Sequence, residues 1–256
     1  MGAGGCVVPP PGYIRKVWEV CQANDIAYVS DEVCTTTHIL ITIVSRFPHV
    51  CSHFSQTILT SISTVTQVVT GYGRLGAWFA SEDVFGIQPD IITFAKGITS
   101  GYQPLGGVII SDRLLDSVSG DGNAGAKWQV GYTYSGHPCA CAAGIANMEL
   151  MEETEILSHV QDIGPAFQAA LKTLEELPLC LETRGIMLMA GIELVDHTKG
   201  DATNIEMEKV NTEQCRRLSD KCLDDGLVLR MQRNRAVLVS PLRSLQLLVL
   251  CCIDPL

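Results

Sequence analysis

The chain has 256 residues, of which 46% are hydrophobic and 18% are charged, so it can form the core of one large or two modest domains. Its formal net charge of −10 at pH 7 disfavours binding to nucleic acids or anionic membranes, because like charges repel. The composition therefore favours a globular protein that acts on small molecules.

The cysteines and the apolar runs indicate in which cellular compartment the protein is found. Eleven scattered cysteines without a Cys-x-x-Cys pair are typical of neither a metal site nor a disulfide framework, and indicate a reducing compartment. The first residues lack the basic and apolar regions of a secretory signal. The longest apolar runs, 39–44 and 245–253, are shorter than the roughly 20 residues of a membrane-spanning helix. We expect no membrane partner and a location in the cytoplasm or the mitochondrial matrix.

The first predicted elements alternate between helix and strand. Apolar residues recur at helical spacing within 12–24, and the short apolar run 26–29 then leads to Asp31. A second apolar run, 91–95, ends at Lys96, which a glycine follows. Short buried strands separated by glycine-containing turns predict an α/β fold with a mostly parallel sheet.

The remaining elements follow in the second half of the chain. We predict strands at 108–110, 188–194 and 237–239 and helices at 138–151, 162–177 and 206–225. The small residues of 138–151 favour a helix that packs closely against a neighbour in the core. Because the pattern of elements changes near Glu155, we expect residues 1–154 to be part of a large domain and residues 155–256 to form a smaller C-terminal α/β domain.

Two segments differ from this pattern. Residues 34–68 contain no Asp, Glu, Lys or Gly, and their many Ser and Thr hydroxyls would need hydrogen-bond partners if buried. We interpret 34–68 as a foreign insertion and expect it to be irregular rather than an element of the sheet. Residues 243–256 form an atypical apolar tail without turn or cap signals.

Asp31 and Lys96 follow predicted parallel strands, and the carboxyl ends of such strands border the crevice where open α/β sheets bind ligands. A lysine amine can link to an aldehyde, and an acid beside a pyridine nitrogen keeps the ring protonated. The pair therefore suits pyridoxal 5′-phosphate. Taken alone it is a weak signal, because a strand that ends in Asp or Lys is usually just entering solvent.

Longer motifs make this interpretation specific. They are TGYGRLGAWFA at 70–80, QPDIITFAKG at 88–97, PLGG at 104–107 and GYTYSGHP at 131–138. Together they resemble the signature of the class III pyridoxal-phosphate-dependent aminotransferases, and the resemblance covers 1–33 and 69–242. It implies a fold type I transferase, with a partial large domain that has a mostly parallel sheet and a smaller C-terminal α/β domain.

The resemblance also implies a role for each candidate site residue. Lys96 would bind the cofactor covalently and then move the substrate proton. Asp31 would pair with the ring nitrogen, and Val33 would pack against one face of the ring. Thr133 would bind the cofactor phosphate of a partner subunit, which implies a homodimer with shared active sites. Arg230 would bind a substrate carboxylate through its planar guanidinium.

Simpler explanations stay open for several of these residues. Val33 could be ordinary core packing, Thr133 a turn residue and Arg230 a surface arginine. Met187 stands where the family usually has glycine, and we treat the residues around it as structural. A separate cluster, His49, Cys51 and His53, lacks a second group that would complete four zinc ligands, so we expect no metal site.

The implied activity is transamination between an ω-amine or ω-amino acid and a 2-oxo acid such as pyruvate. An aminomutase or racemase would use the same lysine and aspartate, and a catalytically inactive, truncated isoform that only dimerises is a third possibility. The family phrase DEVVTGYGR is interrupted after Val33 and resumes at Val69, and removing 33–67 restores it. We interpret the interruption as a retained intron. We also expect that the family's upstream half and last helix are missing.

Overall fold

The computed structural model describes residues 6–31, 63–66, 70–119, 131–177, 179–194, 212–232 and 235–239. The chain divides into two compact units. One comprises Met1–Val8, Gly73–Trp78 and Glu155–Leu256, and the other comprises Pro9–Tyr72 and Phe79–Thr154. The division into domains 1–154 and 155–256 stays a prediction.

The unit formed by Pro9–Tyr72 and Phe79–Thr154 contains a four-stranded sheet. Its strands are β1 (Tyr28–Asp31), β2 (Ser63–Thr66), β3 (Ile91–Ala95) and β4 (Gly106–Ile110), in the order β2-β1-β3-β4. The pairs β2–β1 and β1–β3 are parallel and the pair β3–β4 is antiparallel. The predicted α/β fold with a mostly parallel sheet is confirmed.

Four helices accompany this sheet among the described residues. They are α1 (Tyr13–Ala23), α2 (Ala80–Asp83), α3 (Asp112–Ser119) and α4 (Pro138–Glu153), and a short 3₁₀ helix spans Lys96–Thr99. The apolar spacing that predicted α1 buries Ile14 and Cys21 in one cluster with Tyr28 and Ile87. Each fully buried aliphatic side chain of this kind contributes about 1.5–3 kcal/mol to folding, so this cluster is a main support of the sheet.

The expectation that 34–68 stays outside the sheet is wrong for Ser63–Thr66. These residues form β2, which pairs in parallel with β1 from Tyr28↔Ser63 to Asp31↔Thr66. Three of the four residues are β-branched, and such residues favour the extended backbone of a strand. The rest of the segment lies outside the described residues, so its interpretation as an insertion stays a prediction.

Helix α4 packs through one face only. Its buried residues are Ala140, Gly144 and Met151, whereas Ile145 and Leu150 are 53% and 54% exposed. The predicted close packing is confirmed at Gly144, because an added Cβ would lie 3.1 Å from Leu105 Cδ2. The expectation of a helix within the core is wrong for the opposite face, since the small residues of α4 occur all round the helix and only one side meets a neighbour.

The other unit contains an antiparallel sheet and two helices. Its elements are α5 (Ile156–Lys172), a 3₁₀ helix (Thr173–Glu176), β5 (Cys180–Ile186), β6 (Met189–Leu194), α6 (Thr212–Asp224), β7 (Arg230–Gln232) and β8 (Arg235–Val239). The strand order is β5-β6-β8-β7. A core cluster joins Val160 and Phe167 of α5 to Leu188, Ala190 and residues of α6.

Several features are absent from the part of the chain that the structure describes. No helix there is both long enough and apolar enough to cross a membrane. The same residues contain no group of three or more His, Cys, Asp or Glu side chains that could hold a metal ion. His49, Cys51 and His53 lie outside the described ranges.

Candidate active site

Asp31 and Lys96 lie at the carboxyl ends of two neighbouring parallel strands. The register of β1 and β3 pairs Asp31 with Thr93, three residues before Lys96. Lys96 follows β3 directly and begins the 3₁₀ helix Lys96–Thr99. The pairing confirms that these two positions share one edge of the sheet, as their predicted strands required.

The backbone of Lys96 has an unusual conformation. Its φ is 53°, in the left-handed region, and the preceding Ala95 is extended. A residue with a Cβ is strained there by about 1–3 kcal/mol, and such residues persist where the surrounding structure holds them. Lys96 is exposed, and the residues that contact Gly97 and Ile98 help to hold the turn that carries it.

One of these neighbours is Tyr72. An added Cβ on Gly97 would lie only 2.7 Å from Tyr72 Cβ. Tyr72 is 7% exposed, and its ring makes edge contacts with Phe79 and Phe94 at centroid distances of 5.6 and 6.2 Å. These aromatic contacts support the tyrosine that packs against the turn after Lys96.

A second neighbour is Asn147 of α4. Its Nδ2 donates hydrogen bonds to Gly97 O at 2.9 Å and Ile98 O at 3.1 Å. Ser100 Oγ donates to Asn147 Oδ1 at 2.7 Å. Asn147 belongs to none of the motifs that pointed to the site. Its spacing from Gly144, three residues earlier on the packed face of α4, is the signal that could have drawn attention to it.

Asp90 joins the amino ends of the same strands. It is 4% exposed, and it accepts hydrogen bonds from Arg113 Nε and Nη2 and from the backbone N–H of Tyr28, each at 2.8 Å. Burial raises the pKa of Asp90, but the hydrogen bonds from Arg113 and Tyr28 outweigh burial and hold that pKa below its usual 3.8. This carboxylate ties β1 to the start of β3 and thereby supports the register that brings Asp31 beside Thr93.

The other predicted site residues lie elsewhere. Thr133 is exposed in a turn between Tyr132 and Tyr134, which are 80% and 82% exposed. Arg230 is the first residue of β7 and pairs with Val237 of β8. Both residues belong to the unit that contains Glu155–Leu256, whereas Asp31 and Lys96 belong to the other unit. Val33 lies outside the described residues.

The groups at the strand edge fit two ends of pyridoxal phosphate. Lys96 is exposed, where an incoming aldehyde can reach it, and Asp31 ends the adjacent strand. Asp31 pairs with Thr93, and Lys96 follows Thr93 by three residues, so an acid and a primary amine border the same edge of the sheet. The exposed hydroxyl of Thr133 is of the kind that binds a phosphate.

Comparisons with known proteins agree with this geometry. The family model for class III aminotransferases matches residues 64–245. A putrescine–pyruvate aminotransferase of Pseudomonas aeruginosa is 31% identical over 242 residues, which are 94% of this chain and 43% of that protein. A probable aminotransferase of Mycobacterium tuberculosis is 38% identical over 193 residues, which are 75% of this chain and 33% of that protein.

Solved structures show the same relationship. An (S)-enantioselective ω-transaminase from Thermomicrobium roseum matches with a TM-score of 0.75 and 31% identity, over 98% of this chain and 48% of that one. The chain thus spans about a third to a half of the length of the relatives it matches. Its fold is that of the fold type I pyridoxal-phosphate-dependent transaminases, and the chain belongs to the class III aminotransferase family.

Proposed function

We propose that this site carries out pyridoxal-phosphate-dependent transamination between an ω-amine or ω-amino acid and a 2-oxo acid such as pyruvate. The observation that carries the proposal is the parallel pairing of β1 and β3, which brings Asp31 and Lys96 to one edge of the sheet. The substrate class is supported by the P. aeruginosa relative, whose name specifies putrescine and pyruvate. It is also supported by the likeness to the T. roseum ω-transaminase.

Lys96 and Asp31 have complementary tasks in this proposal. When bound, pyridoxal phosphate supplies a ring that accepts the electrons released at the substrate carbon. The Nζ atom of Lys96 would hold the cofactor through its aldehyde group, and the same atom would take and return the substrate proton. Asp31 would keep the ring nitrogen protonated, and Val33 would pack against the ring.

The remaining two residues bind charged groups. Thr133 contributes its hydroxyl to the cofactor phosphate of a second subunit, so the active form is a homodimer with shared sites. The exposed Tyr132 and Tyr134 beside Thr133 support a contact at this turn, because large exposed aromatic groups are enriched at protein interfaces. Arg230 binds the substrate carboxylate as a two-pronged donor.

Covalent labelling tests the role of Lys96. The chain is incubated with pyridoxal phosphate, reduced with borohydride and mapped by peptide mass spectrometry. We expect the label on Lys96 and its loss in Lys96→Ala. Lys16→Arg is the control, because Lys16 is an exposed lysine on α1. A label spread evenly over the lysines would contradict the proposal.

Product analysis tests the reaction type. With an ω-amine and pyruvate, transamination converts pyruvate to alanine and the amine to an aldehyde. An aminomutase or racemase would instead give an isomer of the substrate without consuming pyruvate. Cofactor labelling without any product would indicate an inactive chain.

A further inference from the structure

Asn147 uses its side-chain amide to bind the turn that follows Lys96. The two N–H groups of Nδ2 meet Gly97 O and Ile98 O at 2.9 and 3.1 Å, and Met151 Sδ lies 3.5 Å from the same nitrogen. The amide oxygen accepts the hydrogen bond from Ser100 Oγ at 2.7 Å. A single side chain therefore holds three residues of one short turn.

The hydrogen bonds from Asn147 stabilise the backbone next to Lys96. A 3₁₀ turn leaves carbonyl groups without ideal partners, and a short 3₁₀ helix is held weakly by its own hydrogen bonds. Within this turn, Gly97 O accepts a backbone hydrogen bond from Ser100 N at 3.2 Å. Asn147 adds a shorter bond to the same oxygen. It thereby stabilises the peptide that directly follows the left-handed Lys96.

The position of Asn147 is itself fixed by packing. An added Cβ on Gly144 would lie 3.1 Å from Leu105 Cδ2 and 3.5 Å from Ile98 Cγ1, so α4 approaches the turn closely. Ala140 and Met151, on the same face of α4, are buried as well. The helix backbone thus places the amide within reach of the two carbonyl groups without a long, flexible side chain.

We propose that Asn147 is a positioning residue, which holds the turn after Lys96 so that the lysine amine is presented at the cofactor edge of the sheet. The inference rests on the proposed function for the meaning of that edge. Asn147 acts through the backbone of Gly97 and Ile98 and takes no part in the chemistry itself.

The test compares the labelling of two lysines in the full chain. Each variant is treated with pyridoxal phosphate and borohydride, and the ratio of label on Lys96 to label on Lys16 is measured over time. We expect the ratio to fall about tenfold in both Asn147→Asp and Asn147→Ala, because two hydrogen bonds to the turn are lost. Asn147→Asp keeps the size of the side chain and can still accept from Ser100, so it separates hydrogen-bond donation from packing.

Asn24→Ala is the matched control. Asn24 Nδ2 also donates to a backbone carbonyl, Val20 O at 2.8 Å, but at the end of α1. We expect this variant to keep the parental labelling ratio. Amide exchange gives a readout that needs no cofactor: the N–H groups of Ser100 and Tyr102, which donate to Gly97 O and Thr99 O, should exchange faster in the Asn147 variants alone.

The outcomes separate the two proposals. If the parent labels Lys96 selectively and folded Asn147→Asp does so equally fast, the positioning role is wrong and the proposed function stands. If the parent shows no selectivity but the Asn147 variants lose exchange protection at Ser100 and label Lys96 less, the proposed function is wrong and the positioning role stands. Should a variant of Asn147 not fold, Ser100→Ala, which removes only the bond that orients the amide, must lower the labelling ratio in the same direction.

Discussion

Gly97 is the residue at which the turn after Lys96 is least tolerant of change. An added Cβ would lie 2.7 Å from Tyr72 Cβ, and Tyr72 cannot move away easily because Phe79 and Phe94 pack against its ring. We expect Gly97→Ala to lower the free energy of unfolding by about 1–3 kcal/mol, as measured by urea denaturation. Among the described residues, nothing lies within 4 Å of a Cβ added at Gly131, so Gly131→Ala serves as the control. Equal losses in the two variants would refute this steric argument.

The pKa of Asp90 determines how the contribution of this residue to stability depends on pH. Burial raises its pKa, but hydrogen bonds from Arg113 and Tyr28 lower it more, so the folded pKa lies below the usual 3.8. The folded chain then binds fewer protons than the unfolded chain. The contribution of Asp90 is therefore complete above the usual pKa and is lost as the pH falls through the folded pKa.

The substitution Asp90→Asn should remove the part of the unfolding free energy that depends on the charge of Asp90. We expect the variant to lose about 2 kcal/mol of unfolding free energy at neutral pH, because a charged hydrogen-bond acceptor is replaced. The difference from the parent should shrink as the pH falls below the usual pKa of 3.8, because protonation then weakens the parent as well. Asp220→Asn is the control, since Asp220 belongs to an exposed pair with Arg216. A constant difference at every pH would show that the charge of Asp90 is not responsible.

Some of these residues could be predicted from the sequence and others could not, for a physical reason. The placement of Asp31 and Lys96 followed from two apolar runs that each end in a charged residue, a pattern that strands share wherever they meet a crevice. The role of Asn147 could not be predicted in this way. Every residue of the turn has a backbone carbonyl group, so the sequence of the turn does not reveal which carbonyl groups accept a hydrogen bond from a side chain. Met187 is intermediate: its departure from a family glycine was visible, but only the structure gives its left-handed φ of 48°.

At the scale of elements, strands with a continuous apolar run were predicted and a strand with mixed residues was missed. Residues 91–95 and β3 coincide, and the predicted strand at 237–239 lies within β8. β5 was missed because its residues, CLETRGI, include exposed positions such as Leu181 and Glu182. A strand at the end of a sheet is less buried, so its sequence carries a weaker apolar signal.

The β5–β6 hairpin depends on helix α5. Gln168 Nε2 donates to Met187 O at 2.7 Å and to Met189 O at 3.0 Å, on either side of the hairpin turn. We expect Gln168→Leu to lower the unfolding free energy by about 1–3 kcal/mol, because the partly buried carbonyl groups lose their donor. Thermal and urea denaturation measure this.

A variant in the same unit provides the comparison for this prediction. Thr173 Oγ1 donates to Ala170 O at 2.8 Å at an exposed position, so Thr173→Ala removes one hydrogen bond that water can replace. We expect it to change the unfolding free energy by less than about 0.5 kcal/mol. If Gln168→Leu lowers the unfolding free energy by no more than Thr173→Ala does, α5 does not stabilise the β5–β6 hairpin through the Gln168 side chain.

At the scale of the whole molecule, the predicted insertion at 34–68 can be tested by deletion. Deleting 33–67 joins Glu32 to Val68 and restores the phrase DEVVTGYGR. We expect the shortened chain to have a higher soluble yield and to label Lys96 faster with pyridoxal phosphate, because the phrase that contains Asp31 becomes continuous. The cost of loop closure grows slowly with loop length, so the change in loop length by itself affects the stability of the flanking fold little.

The deletion also removes β2, and this makes the result decisive. β2 pairs with β1 at the end of the described strand order. If the shortened chain unfolds, the segment is a genuine structural feature and the retained-intron interpretation is wrong. If the shortened chain folds and labels Lys96 faster, four residues at the sheet edge are dispensable and the interruption is foreign.

The other end of the described sheet is formed by β4, whose sequence is Gly-Gly-Val-Ile-Ile. Val108 and Ile109 are 51% and 45% exposed, and the strand contains neither a charge nor a proline. Such an edge offers backbone hydrogen-bonding groups to any other extended chain. In storage, therefore, copies of the protein should add to one another strand by strand, so that thioflavin fluorescence appears sooner as the protein is concentrated.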